Sequence, residues 1–233
     1  MYKIDIVIPS LNRIDKLTNT INSVFLSAKD IPINLYLYFS VQSELDHFKE
    51  QFKDISEVQC IMFPSYSAPR LWNFHIKSMD ADLLVYLNDD TLLYDSTLEL
   101  VIKKFKNEIP DLDGILGLAQ ANLPEDQACP GAFGVIGKKF IERFPDKRVF
   151  NEDYERFYID KELFLFANEI RRFHFDRDIK IEHLHPLFGG TKDSTHDNVR
   201  KHLPVDKKTW QIRQANNFLW GRDFNLVNKT VRM

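Results

Sequence analysis

The sequence predicts an α/β protein whose mostly parallel sheet is covered by helices on both faces. Three observations lead to this prediction. Short β-branched strands alternate with amphipathic helices over roughly the first half of the chain. One strand, residues 83–87, is apolar without interruption, which is typical of a strand buried on both faces of a sheet. That strand ends abruptly at Asn88, Asp89 and Asp90, at the edge where open α/β sheets place their ligands.

The elements of the first half follow from local patterns. Residues 4–9 are mostly β-branched and close on a proline, whereas the apolar residues between 17 and 25 recur at the spacing of one helical face. Ser67 and Pro69 mark the start of a later helix. The predicted order is strand 4–9, helix 17–25, strand 33–39, helix 43–53, strand 58–63, helix 67–79 and strand 83–87.

The second half is less regular. Asp95 or Ser96 is expected to cap a helix over about 98–105, and the rhythm weakens near residue 113. The predicted elements after that are strand 114–118, loop 121–131, strand 132–136, helix 138–144, a helix in the second half of 151–172, and strand 179–182. We expect one α/β domain over residues 1–188.

The last part of the chain, residues 189–233, differs in charge. From Lys192 onward it carries nine Lys and Arg residues against four Asp and Glu residues. Trp210, Phe218 and Trp220 suggest that this basic segment is helical and packs back on the domain.

Bulk composition limits the classes of protein. The chain has 233 residues, is 44% hydrophobic and 28% charged, and carries a formal net charge of −3, which argues against a general polyanion binder but not against a local basic patch. Only two cysteines, Cys60 and Cys129, favour a reducing compartment. Neither a signal peptide nor a membrane-spanning run is visible, so we expect a soluble cytoplasmic protein.

The acidic strand end favours a divalent ion. Adjacent carboxylate and amide oxygens suit Mg²⁺ or Mn²⁺, and such an ion suits a diphosphate. By itself an Asn-Asp-Asp sequence is more often a polar turn, so this interpretation depends on the other motifs of the chain.

Four motifs occur in a characteristic order. The first strand reads Ile-Val-Ile-Pro-Ser-Leu-Asn-Arg, and a helix with Arg70 and Asn73 follows. The buried strand then ends in Leu-Asn-Asp-Asp-Thr, and a later helix begins Ile-Asp-Lys-Glu-Leu at residue 159. This order resembles family-2 glycosyltransferases of the GT-A fold over roughly residues 4–185. The sequence departs from the commonest Asp-x-Asp pattern at Asn88.

The resemblance implies a site for a nucleotide-sugar donor. Asp90 would hold Mn²⁺ or Mg²⁺, with Asn88 or Asp89 binding directly or through water, and the ion would stabilise the diphosphate leaving group. The loop after the first strand would contact the nucleoside, and its residues are Pro9, Ser10, Asn12 and Arg13. The alternative for this loop is a helix cap.

Other basic and amide residues are candidates for the donor site. Arg70 and Asn73 would lie beside the metal if their helix packs there, although a surface arginine is an equal alternative. In the basic segment, Lys192 and Arg213 could fold over the diphosphate, or they could belong to a solvated helical face.

Asp160 is the candidate general base. An inverting transfer needs a carboxylate that takes the acceptor hydroxyl's proton, and the resemblance places that carboxylate at the start of this helix. Any helix start favours acids, so Glu162 and Asp153 are rivals. His183 and His185 lie two residues apart at a strand end, and either could complete the metal shell; polar surface is the alternative.

The leading hypothesis is therefore a metal-dependent glycosyltransferase. The resemblance favours a UDP-sugar and inversion. The acceptor is expected to be a glycan, a lipid-linked saccharide, a protein or a hydroxymethylated DNA base. A nucleotidyltransferase is the first alternative, but it usually needs a glycine-rich loop, and residues 10–14 have no glycine. A non-catalytic nucleotide-sugar-binding protein is the second.

Overall fold

A computed structural model describes residues 2–65, 67–123, 130–186, 190–191 and 193–216. Its strands form one eight-stranded sheet in the order β3-β2-β1-β4-β7-β6-β8-β5. The strands are β1 Ile4–Ser10, β2 Ile33–Phe39, β3 Val58–Met62, β4 Leu83–Tyr86, β5 Thr91–Leu93, β6 Ile115–Gln120, β7 Gly134–Gly137 and β8 Phe173–His183. The helices are α1 Ile14–Ala28, α2 Gln42–Gln51, α3 Ala68–Ser78, α4 Thr97–Glu108, α5 Lys138–Ile141, α6 Ile159–Glu169, α7 Ser194–Arg200 and α8 Leu203–Ala215.

The first four strands form a parallel half-sheet around β1. Ile4 lies opposite Ile33 on β2 and opposite Leu83 on β4, and β2 pairs in parallel with β3. Every residue of β1 and β4 is buried, which is why both strands are almost wholly apolar. The mostly parallel α/β sheet predicted from the sequence is confirmed.

The second half of the sheet is mixed, and two of its features differ from the sequence prediction. β5 was not predicted because it has only three residues, and β8 begins at Phe173 rather than at 179. The first part of β8 alternates partly buried and exposed residues and is rich in charge, so it reads as a loop. β5 and β8 pair antiparallel with Thr91 opposite His183.

The apolar core has one part on each face of the sheet. One part joins β1 to α1, α2 and α4 through buried residues such as Leu17 and Phe105. The other joins the sheet to α3, α5, α6 and α8, and includes Trp72, Phe166 and Trp210. Helices therefore cover both faces, as the alternating pattern predicts.

Two helices follow β8 and pack on the sheet domain. α7 begins with a capping box, in which Asp193 accepts from the His196 N–H and the His196 ring accepts from the Asp193 N–H. α8 stacks Trp210 on Tyr158 with ring centroids 5.6 Å apart. The expected division between residues 188 and 189 lies outside the described residues and stays a prediction. Among the described residues, we find no helix with the length and apolar character needed to cross a membrane.

Candidate functional site

The carboxyl ends of β1 and β4 bring Asp89, Asp90 and Arg13 together; we call these three residues the Asp89–Asp90 cluster. Arg13 Nη1 donates to Asp89 Oδ1 at 2.8 Å and to Asp90 Oδ2 at 3.1 Å. Both aspartates are buried, with 5% and 2% of their surfaces exposed. One guanidinium thus neutralises part of a paired negative charge that would not be stable alone in the interior.

The loop after β1 is fixed by Glu44, the buried carboxylate in the first turn of α2. Glu44 accepts hydrogen bonds from Ser10 Oγ at 2.6 Å, from the Asn12 N–H at 2.8 Å and from the Arg13 N–H at 3.0 Å. Asn12 has a φ of 57°, in the left-handed region that asparagine tolerates better than most residues. Glu44 therefore holds the loop in the shape that directs Arg13 toward the two aspartates.

Helix α7 covers this loop from the other end of the chain. Asp193 Oδ2 lies 3.0 Å from Arg13 Nε and accepts from Lys16 Nζ at 2.7 Å. Thr195 Oγ1 donates to the Leu11 carbonyl at 2.9 Å. A segment about 180 residues distant in sequence thus completes the wall of the cluster.

Three histidine rings lie in a row beside Asp90. His183 Nε2 is 3.3 Å from Asp90 Oδ1, and His196 Nε2 is 3.9 Å from Asp90 Oδ2. The His185 ring lies between, with centroids 5.3 Å from His183 and 4.9 Å from His196. The Thr91–His183 pairing of β5 with β8 produces this arrangement, because it places β8's last residue next to Asp90.

The protonation state of His185 suits metal binding. Burial, with the neighbouring His183 and His196, lowers the pKa of His185 to about 4, so His185 is neutral at neutral pH. His183 Nδ1 lies 3.1 Å from Gln120 Oε1. Donation of an Nδ1 proton to Gln120 would fix the tautomer with an unprotonated Nε2, which is the tautomer that a metal ion beside Asp90 would need.

The two aspartates differ in their titration. Burial raises the pKa of Asp89, and the negative charge of Asp90 raises it further. The positive charge of Arg13 lowers this pKa but does not outweigh the other two effects. For Asp90, burial also acts upward, but His183, Arg13 and Lys16 outweigh it and lower the pKa. Burial opposes the charge on Arg13, yet Asp89 and Asp90 reverse this effect and raise the pKa of the guanidinium. Asp90 is therefore the carboxylate held ionised.

The site fits a metal ion that is bound together with a diphosphate. In the described ranges, no three His, Cys, Asp or Glu side chains are arranged as a complete metal cage. Asp90 Oδ1, however, is buried; it lies 3.3 Å from His183 Nε2 and makes no well-formed hydrogen bond with the described residues. Mg²⁺ and Mn²⁺ are commonly held by one or two carboxylates plus substrate phosphates, so this oxygen is a suitable protein ligand.

The predicted base, Asp160, lies at the start of α6, directly after a turn that α8 holds in place. The carboxylate of Asp206, itself fully buried, accepts from the backbone N–H groups of Glu155, Arg156 and Phe157 at 3.0, 2.9 and 2.8 Å. Tyr158 ends this turn with a φ of 68°, and α6 begins at the next residue. Asp160, in the first turn of α6, remains partly accessible.

Glu162 and Asp153, the rivals of Asp160, both pair with Arg213. Glu162 is fully buried and accepts from Tyr154 Oη at 2.6 Å, from Asn151 Nδ2 at 3.2 Å and from Arg213 Nη2 at 2.9 Å. Asp153 is largely exposed and pairs with Arg213 Nη1 at 2.9 Å. The four residues Glu162, Tyr154, Asn151 and Arg213 form a structural cluster, which we call the Glu162 cluster.

The remaining predicted donor residues are placed as follows. Asn73 is buried and holds the backbone of Phe150 through both ends of its amide. Arg70 is half exposed, 3.4 Å from Glu155. Pro9 lies within β1, and the Asn88 carbonyl accepts from Thr91 Oγ1. Lys192 lies outside the described residues. Donor contact by these residues and by Arg213 stays a prediction.

Several site residues were missed by sequence reasoning: Lys16, Glu44, Asp193, His196 and Asp206. Glu44 and Asp206 gave only a weak signal in the sequence, because acids in the first turn of a helix are common. A sharper signal was available at His196, which stands three residues after Asp193 in a capping position.

Comparison with solved structures identifies the fold class: the chain has the GT-A glycosyltransferase fold. A mannosyltransferase from Pyrobaculum calidifontis, solved with GDP-Man and Mn²⁺, matches with a TM-score of 0.65 at 14% identity over 90% of this chain and 64% of its own. TarS from S. aureus, residues 1–349, matches with a TM-score of 0.61 at 13% identity over 77% of this chain and 59% of its own. The same TarS fragment in complex with UDP-GlcNAc matches with a TM-score of 0.59 at 12% identity.

These matches are limited in extent. The chain spans about three fifths of the length of the TarS fragment and slightly more of the mannosyltransferase. No protein-family model matches the sequence. No curated protein matches it either.

Proposed function

We propose that this protein is a metal-dependent glycosyltransferase that moves a sugar from a nucleoside diphosphate to an acceptor hydroxyl. The observation that carries the proposal is the buried Asp90 Oδ1 of the Asp89–Asp90 cluster, which faces the His183 ring across 3.3 Å within a GT-A fold. A carboxylate oxygen and an imidazole nitrogen this close together are two donor atoms of the kinds that bind Mn²⁺, so they could hold a cation between them.

The residues around the cluster have distinct roles in this proposal. Asp90 would hold the ion, with His183 or His185 as a further ligand and Asn88 or Asp89 acting directly or through water. The bound ion would neutralise the charge that grows on the departing diphosphate. The loop of Pro9, Ser10, Asn12 and Arg13, held by Glu44, would contact the nucleoside. A preformed loop limits the entropy lost when donor binds.

Asp160 is the proposed general base. The partial exposure of Asp160, just after a turn that is fixed by Asp206, supports this role, because the acceptor hydroxyl must approach the carboxylate. Glu162 is an unsuitable base, because its oxygens are occupied by Tyr154, Asn151 and Arg213. Transfer with inversion would follow if Asp160 takes the proton as the hydroxyl attacks the anomeric carbon.

The donor and acceptor are proposed more coarsely. The two matching structures hold UDP-GlcNAc in one case and GDP-Man with Mn²⁺ in the other, so UDP- and GDP-sugars are the donors to test. We propose UDP-sugar first, with a glycan, a lipid-linked saccharide or a hydroxymethylated DNA base as the acceptor.

The deciding experiment is calorimetric titration of UDP and of GDP in the presence of Mn²⁺ and of EDTA. We expect one nucleotide to bind only with metal and Asp90→Ala to abolish that binding. Asp95→Ala, an exposed acid just beyond the cluster, is the matched control and should bind like wild type. Absence of binding for both nucleotides under every metal condition would contradict the proposal.

The base is tested separately with Asp160→Asn. We expect this variant to bind the metal–nucleotide complex with wild-type affinity but to lose sugar transfer, or donor hydrolysis when no acceptor is present, by about a thousandfold. Asp153→Asn should retain turnover. Metal-dependent binding without turnover of any donor by wild type would favour a nucleotide-sugar-binding protein instead.

A further inference from the structure

The turn before Asp160 is held rigidly on two sides. The Ala68 N–H at the start of α3 donates to the Glu155 carbonyl at 3.1 Å. From the other side, Asp206 of α8 binds the N–H groups of Glu155, Arg156 and Phe157. Because the backbone is fixed at three successive residues, the side chain of Arg156 leaves the turn from a defined position.

The guanidinium of Arg156 lies in an unusual environment. Its Nε atom is buried and makes no hydrogen bond within the described part of the chain. No carboxylate among the described residues forms an ion pair with it, although its neighbour Glu155 pairs with Arg70. The residue as a whole is partly accessible rather than fully buried.

The surroundings of Arg156 relate it to the Asp89–Asp90 cluster. Burial lowers the pKa of Arg156, the charges of Asp89 and Asp90 act in the opposite direction, and the charge of Arg13 adds to the lowering. The charges of the Asp89–Asp90 cluster thus act on Arg156, and Arg156 belongs to the turn that leads to Asp160. A partly desolvated, unpaired cation in this position is unfavourable unless an anion joins it.

We propose that Arg156 binds a phosphate group when the reactants are in place. A guanidinium presents a planar fork of donors that matches two phosphate oxygens, which a lysine cannot do. The phosphate would belong either to the donor diphosphate or to a phosphorylated acceptor. This inference rests on the proposed function and adds a specificity-determining residue to it.

The test compares wild type with Arg156→Gln and Arg156→Lys, with Arg177→Gln, an exposed arginine on β8, as the control. Both substitutions at Arg156 keep a long side chain, and circular dichroism with thermal unfolding verifies that the variants are folded. In the first arm, UDP, GDP and uridine are titrated with Mg²⁺. In the second arm, the binding of inorganic phosphate is measured by calorimetric titration, once with protein saturated with nucleotide and Mg²⁺ and once with protein alone. The heat of phosphate binding is the phosphate response.

Each outcome has a defined meaning. A loss of about tenfold to a hundredfold in UDP or GDP affinity for Arg156→Gln, smaller for Arg156→Lys and absent for uridine, assigns Arg156 to the donor diphosphate. Unchanged nucleotide affinity with loss of the phosphate response in the saturated protein assigns it to a phosphorylated acceptor. Nucleotide and phosphate binding within about twofold of wild type in both arms overturns the inference.

Failure of the proposed function is distinguishable from failure of this inference. If wild type binds no nucleotide, the glycosyltransferase proposal fails, and phosphate added to protein alone decides the role of Arg156. A phosphate response that wild type shows and Arg156→Gln lacks would still support the site. Equal responses, or no response in either protein, would overturn it.

Discussion

The Glu162 cluster and the Asp89–Asp90 cluster are alike in burial but differ in how their carboxylate oxygens are used. Glu162 accepts hydrogen bonds from a tyrosine, an asparagine and an arginine, which leaves it no capacity for a ligand. Asp90 Oδ2 pairs with Arg13, while Asp90 Oδ1 lies 3.3 Å from His183 Nε2 and makes no well-formed hydrogen bond with the described residues. The comparison separates a carboxylate whose partners stabilise the fold from one that we propose binds a cation.

The clusters also differ in how the C-terminal helices contact them. α8 supplies Arg213 to Glu162 and Asp206 to the turn before Asp160, so it is part of the folded framework. α7 supplies Asp193 and His196 to the Asp89–Asp90 cluster, where they contact Arg13. Changes in the first cluster should therefore alter stability, and changes in the second should alter ligand binding.

The largest expected effect is on stability, in Glu162→Gln. Removing one charge of a buried pair leaves Arg213 without its main partner, and we expect the free energy of unfolding to fall by about 3–5 kcal/mol. Urea unfolding measures this loss. Asp153→Asn, the exposed partner of the same arginine, should change stability by less than about 0.5 kcal/mol. Loss of nucleotide affinity in folded Glu162→Gln would contradict the assignment of the Glu162 cluster to stability alone.

The converse effect is expected in Asp90→Asn. Affinity for nucleotide in the presence of Mn²⁺ should fall about a hundredfold, near 3 kcal/mol, because the ionised metal ligand is gone. The free energy of unfolding should fall less than in Glu162→Gln, because Asp90 has fewer partners. Calorimetry and urea unfolding on the same preparation test both statements. A variant that loses stability but keeps its nucleotide affinity would mean that both clusters are structural.

A smaller effect is expected in Arg13→Gln. Arg13 is the cation that neutralises Asp89 and Asp90, so it competes with a metal ion for their charge. Without nucleotide, we expect Mn²⁺ to bind the variant about tenfold more tightly than wild type and to raise its unfolding temperature more. Lys53→Gln, an exposed lysine that pairs with Glu50 of α2, is the control. A Mn²⁺ response equal to that of wild type would exclude Arg13 as a competitor.

The smallest effect concerns acid stability through α7. Burial acts to raise the pKa of Asp193, but Lys16 and Arg13 outweigh it and lower the pKa. A lowered folded-state pKa means that the ionised group stabilises the fold above its unfolded pKa of about 3.9 and loses this contribution as pH falls further. We expect Asp193→Asn to be less stable than wild type at about pH 6, with the difference narrowing toward about pH 3. A constant difference across that range would contradict this assignment.

Sequence reasoning recovered the fold better than the site. The alternation of strands and helices, the buried strand before Asn88 and the acids at its end are all present in the structure. β5 and the start of β8 escaped detection, since one is very short and the other is partly exposed and charged. That omission also hid the pairing that brings His183 to Asp90.

The sequence by itself determined the parallel core, the helices on both faces and the position of the acidic strand end, because periodicity and burial are local properties of a strand or a helix. Only the tertiary structure decided which acids have partners. Glu44, Asp193 and Asp206 meet their partners across 31 to 180 residues of chain, and such contacts leave no mark on local patterns. The chemistry of each carboxylate depends on these distant neighbours, since they set its charge, its hydrogen bonds and its access to a ligand.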